Sequence, residues 1–358
     1  MKLSDFDYKL PKKLIAQTPI KPRDHSRLIL LNKKTGKVKH RHFYDIINYL
    51  HSGDVLVLNN TKVFPARLIG EKKLTGGKIE VFLLQKIKGN LWQCLLGGHG
   101  RRAGLEIKFK QGLEGQAVKD NQDGTWGVEF NMSGRKFMML VEKIGQTPLP
   151  PYIKRQQNCP AASRLSRLFP GQDKRDYQTV YANEKKIGSV AAPTAGFHFT
   201  PKLIKRLKNK GVQFEFITLH VGLGTFAPVK ADDITKHKMH AEWVEVNQPV
   251  INNIIKAKKE GRRIIAVGTT SLRTIEAVFN KKAKIKNKKF AGWVNIFIYP
   301  GYKFKMVEAL ITNFHLPRST LLMLVSALAG KKNINKAYGS ALKNKYRFYS
   351  YGDAMLIY

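Results

Sequence analysis

Apolar positions along this chain follow two rhythms, an α/β pattern at both ends and closely spaced short strands between them. Leu28–Leu31 is a short apolar run that Asn32–Gly36 turns back into Lys37–His40. Phe43–Leu50 has helical spacing and stops at Ser52-Gly53. Asp54–Leu58 reads as a strand covered on both faces, ending in Asn59-Asn60-Thr61-Lys62, which is either a ligand rim or an ordinary turn. From Leu68 to about Gln146 the texture changes. Alternating segments at Lys78–Leu84, Leu91–Leu96, Leu105–Lys110, Gly115–Lys119 and Trp126–Phe130 are separated by glycine turns. That spacing predicts a small antiparallel β-barrel. The expected fold class is therefore α/β: a large mixed α/β domain, residues 1–67 and 147–358, carrying the barrel, residues 68–146, as an insertion. Thr147–Tyr152 is a stiff linker back to the large domain, and Lys154–Lys174 is expected to be a mobile loop.

The stretch Gly188–Val229 organises the second half. Two loops of small residues each carry a histidine: AAPTAGFHFT with His198 and HVGLGTFAPV with His220. Between them Thr200 is a natural N-cap before Pro201, Leu203, Ile204 and Leu207 form a buried stripe, and Gly211 suits a helix C-terminus. Val212, Phe214, Phe216 and Thr218 then alternate as a strand that delivers His220 at its end. Small residues beside a strand-end histidine leave room for a ligand, or they serve tight packing in a loop crossing.

Two further units repeat the theme. Pro249–Glu260 is a helix closed by Gly261, and Arg263–Val267 is a buried strand. Gly268-Thr269-Thr270-Ser271 then turns into the helix Leu272–Phe279, an anion-binding arrangement in which free N–H groups and the helix dipole face a ligand. Neither a GxxxxGK[ST] loop nor a GxGxxG fingerprint is present, so the turn by itself names no nucleotide. Arg273 and Glu276, three apart, can pair with each other. Val294–Tyr299 and Val307–Thr312 read as strands, Leu321–Ala329 as the final helix and AMLI near the C-terminus as the last strand. His237, His240 and Glu242 are conceivable metal ligands, but they lack the helical frame of a metalloprotease, and no metal is expected.

Composition narrows the class. The chain has 358 residues, 43% of them hydrophobic, and only two cysteines, Cys94 and Cys159, which excludes a disulfide framework or a cysteine metal site. Ser319–Ala329 is far too short to span a bilayer and MKLSDFDYKL has no apolar signal core, so a cytoplasmic protein without membrane association is expected. The formal net charge is +39, spread over nearly the whole length. Part of that charge reads as a lysine-rich composition bias; the remainder favours a nucleic-acid partner.

The motifs VLNNTKVFPARL, DYQTVYA, GSVAAPTAGFHFT, LHVGLGTFAPV, HKMHAEW, VGTTSLRTIEA, IFIYPGYKFK, LITNFHLPRSTLLMLVSALAG and YRFYSYGDAMLI resemble the S-adenosylmethionine:tRNA ribosyltransferase-isomerase family of queuosine biosynthesis, in the family's order and over nearly the whole chain. The resemblance implies a pentosyltransferase with a large α/β domain and an inserted barrel. It would use S-adenosylmethionine as co-substrate, with no prosthetic group, and act as a monomer on tRNA carrying 7-aminomethyl-7-deazaguanine (preQ1) at the wobble position. Its product would be epoxyqueuosine-tRNA, with adenine and methionine released. On that reading His198, His220 and His315 are the candidate acid and base. Thr194, Gly222, Gly224, Thr225, Thr269, Thr270 and Ser271 would line the S-adenosylmethionine pocket, and Arg273 would hold the methionine carboxylate. Arg67, Arg101, Arg102 and Arg347 are candidate tRNA contacts. An S-adenosylmethionine-dependent RNA methyltransferase would show an early strand–GxGxG–helix, which is absent here. A non-catalytic RNA-binding protein would not need so many small-residue loops at strand ends.

Overall fold

The structure is a computed structural model that describes residues 1–155, 171–222, 229, 231–237, 239–280 and 289–358. After three short 3₁₀ turns come β1 (Arg27–Leu31), β2 (Val38–His42), a 3₁₀ segment at Phe43–Asn48, β3 (Val55–Asn59) and the two-residue β4 (Lys62–Val63). Six strands follow: β5 (Arg67–Lys72), β6 (Lys78–Lys88), β7 (Leu91–Gly97), β8 (Leu105–Lys108), β9 (Glu114–Asp120) and β10 (Trp126–Phe130). They close into a barrel in the order β10-β7-β6-β5-β8-β9, every pair antiparallel. Alternation explains it: along β7 Trp92, Cys94 and Leu96 are buried and the residues between them are not. Helix α1 (Gly134–Ile144) presses Phe137 and Val141 onto the barrel core.

The chain then runs through α2 (Gln172–Asp176), β11 (Ile187–Ser189), a 3₁₀ turn at Thr194–His198, α3 (Pro201–Asn209), β12 (Gln213–His220), β13 (Glu242–Asn247), α4 (Gln248–Lys259), β14 (Ile264–Val267), α5 (Thr269–Asn280), β15 (Lys289–Val294), β16 (Ala309–Asn313), α6 (Thr320–Ala329), α7 (Lys331–Lys343) and β17 (Ala354–Ile357). Nine strands make one mixed sheet, β15-β13-β12-β3-β14-β16-β17-β1-β2, with β12, β3, β14 and β16 parallel at its centre. Both faces are covered, as the run Val55–Leu58 anticipates: Val55 and Val57 enter one core with Ile264 and Ala266, while Leu56 and Leu58 enter another with Ile265 and Val267.

Thr200 caps α3 by accepting a bond from the Leu203 N–H (3.2 Å), and Gly211 beyond it has φ +86°. Three expectations need correction. The strand assigned to Val294–Tyr299 lies upstream at Lys289–Val294, where β15 pairs with β13; Ile296, Phe297 and Tyr299 pack on the core as irregular chain. The turn Gly268–Ser271 is shorter than expected, because α5 already begins at Thr269. The helix Leu321–Ala329 is not the last, since α7 follows Gly330 and buries Ile334, Ala337, Tyr338 and Ala341. The loop expected within Lys154–Lys174 falls mostly outside the described residues. Among the described residues no helix is long and apolar enough to cross a membrane.

Candidate active site

A cleft of about 680 Å3, its open mouth included, lies at the C-terminal ends of β14 and β16. Crevices outside the carboxyl ends of parallel strands are where open α/β sheets bind ligands. Gly268, Thr269 and Thr270 form one wall and Thr312–Leu316 another. Ala192–Ala195, Val221, Tyr152, Tyr349 and Ser350 close the rest. Gly268 turns out of β14 with φ +89°, a conformation glycine adopts without strain, and so aims the first turn of α5 at the cleft. Among the described residues no acceptor meets the N–H groups of Thr269, Thr270 or Ser271, which are the unsatisfied donors of the helix start. The Thr270 and Ser271 hydroxyls are buried without a partner as well. Free N–H groups at a helix start are the arrangement that suits an anion, as the turn GTTS suggests.

The three histidines occupy different environments. His315 lines the cleft, with Nε2 2.8 Å from the Thr312 hydroxyl and its own N–H donated to Tyr338 Oη (2.9 Å). Burial pushes its imidazole down to about 3, so the ring is neutral near pH 7. His198 lies behind the wall. Its Nδ1 meets Ser26 Oγ at 2.7 Å and its Nε2 meets Asn313 Nδ2 at 3.1 Å, while Asn313 Oδ1 accepts from the Thr194 hydroxyl at 3.1 Å. With the Asn313 amide donating, Nε2 is the acceptor and Nδ1 carries the proton. Burial, then the nearby Arg23 and Arg347 charges, hold this ring at about 3. A buried chain Ser26–His198–Asn313–Thr194 therefore fixes two side chains that face the cleft.

His220 ends β12 half-buried, its Nδ1 2.9 Å from Thr61 Oγ1 and its ring packed against Gly188, where a Cβ would come within 2.9 Å of Cε1. The next residue, Val221, lines the cleft and donates its N–H to Ser189 Oγ (2.9 Å). Burial lowers the His220 pKa, Glu245 opposes the fall and Lys186 adds to it.

The structure gathers Thr194, Thr269, Thr270 and His315 in the cleft and leaves other candidates elsewhere. Gly222 directly follows Val221 with open space beside it, and Gly224 and Thr225 lie outside the described residues. Arg273 is buried off the cleft. Its Nη1 pairs with Glu242 at 2.5 Å, its Nε donates to the Ile296 carbonyl and its Nη2 is buried without a partner. The suggested Arg273–Glu276 pair does not form. Glu276 instead accepts from Tyr302 Oη and the N–H groups of Lys305, Met306 and Val307, holding that loop. Of the candidate tRNA contacts, Arg67 is engaged by Glu80 (2.7 Å) and Arg347 by the carbonyls of Thr18 and Tyr351. Arg101 donates to the Leu96 carbonyl, and Arg102 is exposed. His237 packs edge-on against Phe297, and among the described residues no three His, Cys, Asp or Glu side chains group as a metal site.

Among the cleft residues missing from the candidate set are Asn313, Thr312, Tyr349, Ser350 and Tyr152. Tyr349 sits at φ +70°, a conformation uncommon outside glycine and known to cluster at functional sites, but nothing in FYSYG announces it. Asn313 could have been found as the polar residue that closes the apolar strand ALIT.

A mixed α/β enzyme with its ligand cleft at the strand ends and a separate closed barrel is the class these features define. A family profile described as "Queuosine biosynthesis protein" matches residues 3–357. S-adenosylmethionine:tRNA ribosyltransferase-isomerase of Clostridioides difficile (strain 630) is 51% identical, and that of Halothermothrix orenii 50%, each alignment spanning 100% of both chains. A crystal structure of S-adenosylmethionine tRNA ribosyltransferase from Thermotoga maritima is 38% identical with a TM-score of 0.55, covering 99% of this chain and 100% of that one. The chain belongs to this family of queuosine-biosynthesis transferases.

Proposed function

We propose that the chain transfers the ribosyl part of S-adenosylmethionine to the aminomethyl group of preQ1 at the tRNA wobble position and isomerises it, yielding epoxyqueuosine-tRNA, adenine and methionine. The observation that carries the reading is the start of α5. Unclaimed N–H groups of Thr269 and Thr270 stand in the cleft wall near Asn313 and His315, with Ser271 buried behind them, which suits an amino-acid carboxylate at one end of the cleft and a ribose at the other. The sulfonium makes the adjacent 5′ C–H acidic, so a positioned base can start the reaction. Adenine leaves more readily once its ring is protonated, and methionine leaves as a neutral thioether. Barrel and α/β parts, divided near residues 67 and 147, serve the reaction as separate bodies of one monomer in the cytoplasm.

Roles follow from environment. Thr194, Thr312, Asn313 and His315 orient the ribose through hydrogen bonds, because a ring held neutral by burial has no acidic imidazolium proton to give near pH 7. His220 is the proton-transfer group, since it adjoins the cleft wall at Val221 and Glu245 counters its loss of solvation. Replacing His220 with Ala should lower the rate of adenine release by roughly 10²- to 10⁴-fold, the usual worth of a positioned acid or base. Release at the wild-type rate would remove His220 from the chemistry. A wild-type enzyme that returned demethylated cofactor and no free adenine would point instead to methyl transfer.

A further inference from the structure

Cross-strand pairing sets three rings in one row on a single face of the sheet. His220 on β12 stands opposite Trp243 on β13, and Trp243 stands opposite Trp293 on the edge strand β15. Directly opposed residues of antiparallel strands share a face. The opposite face of β13, with Glu242, Val244 and Val246, is buried, so the row looks outward. Trp243 and Trp293 meet edge to face with centroids 5.5 Å apart, and Trp293 is 47% exposed. The barrel tryptophans, Trp92 and Trp126, are 8% exposed each. The two touching rings leave aromatic surface open to a partner at an unpaired sheet edge.

Charge indicates what would cover it. Lys289 and Ala291 lie on the same outward side of β15 as Trp293, Lys289 is exposed, and Lys186 reaches Glu245 in the neighbouring row. With Glu245 neutralised by Lys186, the exposed Lys289 sets the charge beside the rings, and aromatic rings next to a cation are the arrangement that holds unpaired nucleotides, the bases stacking and the cation meeting a phosphate. Two strand spacings separate Trp293 from His220, roughly 10 Å, a span of about three stacked nucleotides.

We propose that Trp293 and Trp243 form a stacking platform for unpaired bases of the RNA substrate, leading the strand from the sheet edge toward His220. This rests on the reading that the substrate is preQ1-containing tRNA. The test uses the full-length enzyme, S-adenosylmethionine and an RNA anticodon stem-loop bearing preQ1. For Trp293→Ala the KM for RNA should rise roughly 5- to 150-fold, the range for one lost base–aromatic stack, with kcat and the KM for S-adenosylmethionine unchanged. Trp293→Phe should restore most of the loss, which a purely structural role would not predict. Adding the RNA should quench tryptophan emission in the wild type and leave it unchanged in a Trp243→Phe, Trp293→Phe double variant. An unaltered RNA KM in Trp293→Ala, together with an enzyme whose emission ignores RNA, would overturn the platform. So would sedimentation as a dimer that Trp293→Ala splits, since a second copy would then cover the face. Quenching reads binding whether or not ribosyl transfer occurs. A wild type that is quenched yet makes no modified nucleoside therefore overturns the proposed function and keeps the platform.

Discussion

His198 and His315 are buried imidazoles whose hydrogen bonds suit the neutral ring, and both sit at about 3. An unfolded chain would titrate them near 6.5. Because the folded value is the lower one, the unfolded state takes up protons first as the pH falls. Their contribution to stability is complete above about pH 6.5 and is lost progressively toward pH 3, at up to about 1.4 kcal/mol per pH unit for each ring. Melting temperature should therefore fall between pH 7 and pH 5, and His198→Gln should flatten the slope. An unchanged slope in that variant would mean the ring is not held neutral. In the sequence His198 and His220 share a setting of small-residue loops, and His315 stands between Phe314 and Leu316, with nothing to rank the three chemically. What separates them is burial and the identity of their partners: Ser26 and Asn313 for His198 and Thr61 for His220 are far away in the chain, whereas Thr312 is only three residues from His315.

At the scale of elements, the small residues in AAPTAGFH divide between the two uses open to them. Ala192–Ala195 line the cleft and leave it room. Gly196 serves packing: a Cβ there would lie 1.8 Å from Tyr181 Oη and 2.8 Å from Thr179 Cγ2. Gly196→Ala should cost about 1–3 kcal/mol in denaturant unfolding, as overpacking does. Adding Tyr181→Phe should recover part of it, because that hydroxyl is buried without a partner. No recovery would place the strain in the backbone. Elements with strong apolar contrast, such as β3 and β12, were legible in the sequence, as was the barrel through its spaced glycine turns. Helix α7 was not, because alanines at 337 and 341 supply half of its buried face and Gly339 interrupts it. The edge strand β15 was displaced for a related reason. Its alternation runs through Ala291 and Gly292, whereas the more apolar NIFIY beside it packs without strand pairing.

Taken whole, the molecule joins a nine-stranded sheet, with a cleft at the ends of its central strands, to a closed barrel and an excess of 39 positive charges. Even with every acidic side chain paired, the 64 lysines and arginines would leave that excess facing solvent, which favours a polyanionic substrate. The cleft suits the small co-substrate, and the outward face of β13 and β15 suits the large one. Mass analysis of the nucleosides, after the enzyme is incubated with preQ1-containing tRNA and S-adenosylmethionine labelled in its ribose, tests the proposed ribosyl transfer most directly. The expected result is epoxyqueuosine carrying the ribose label, with one adenine and one methionine released per nucleoside formed. Recovery of unmodified preQ1, or of a nucleoside that has gained only a methyl group, would contradict it.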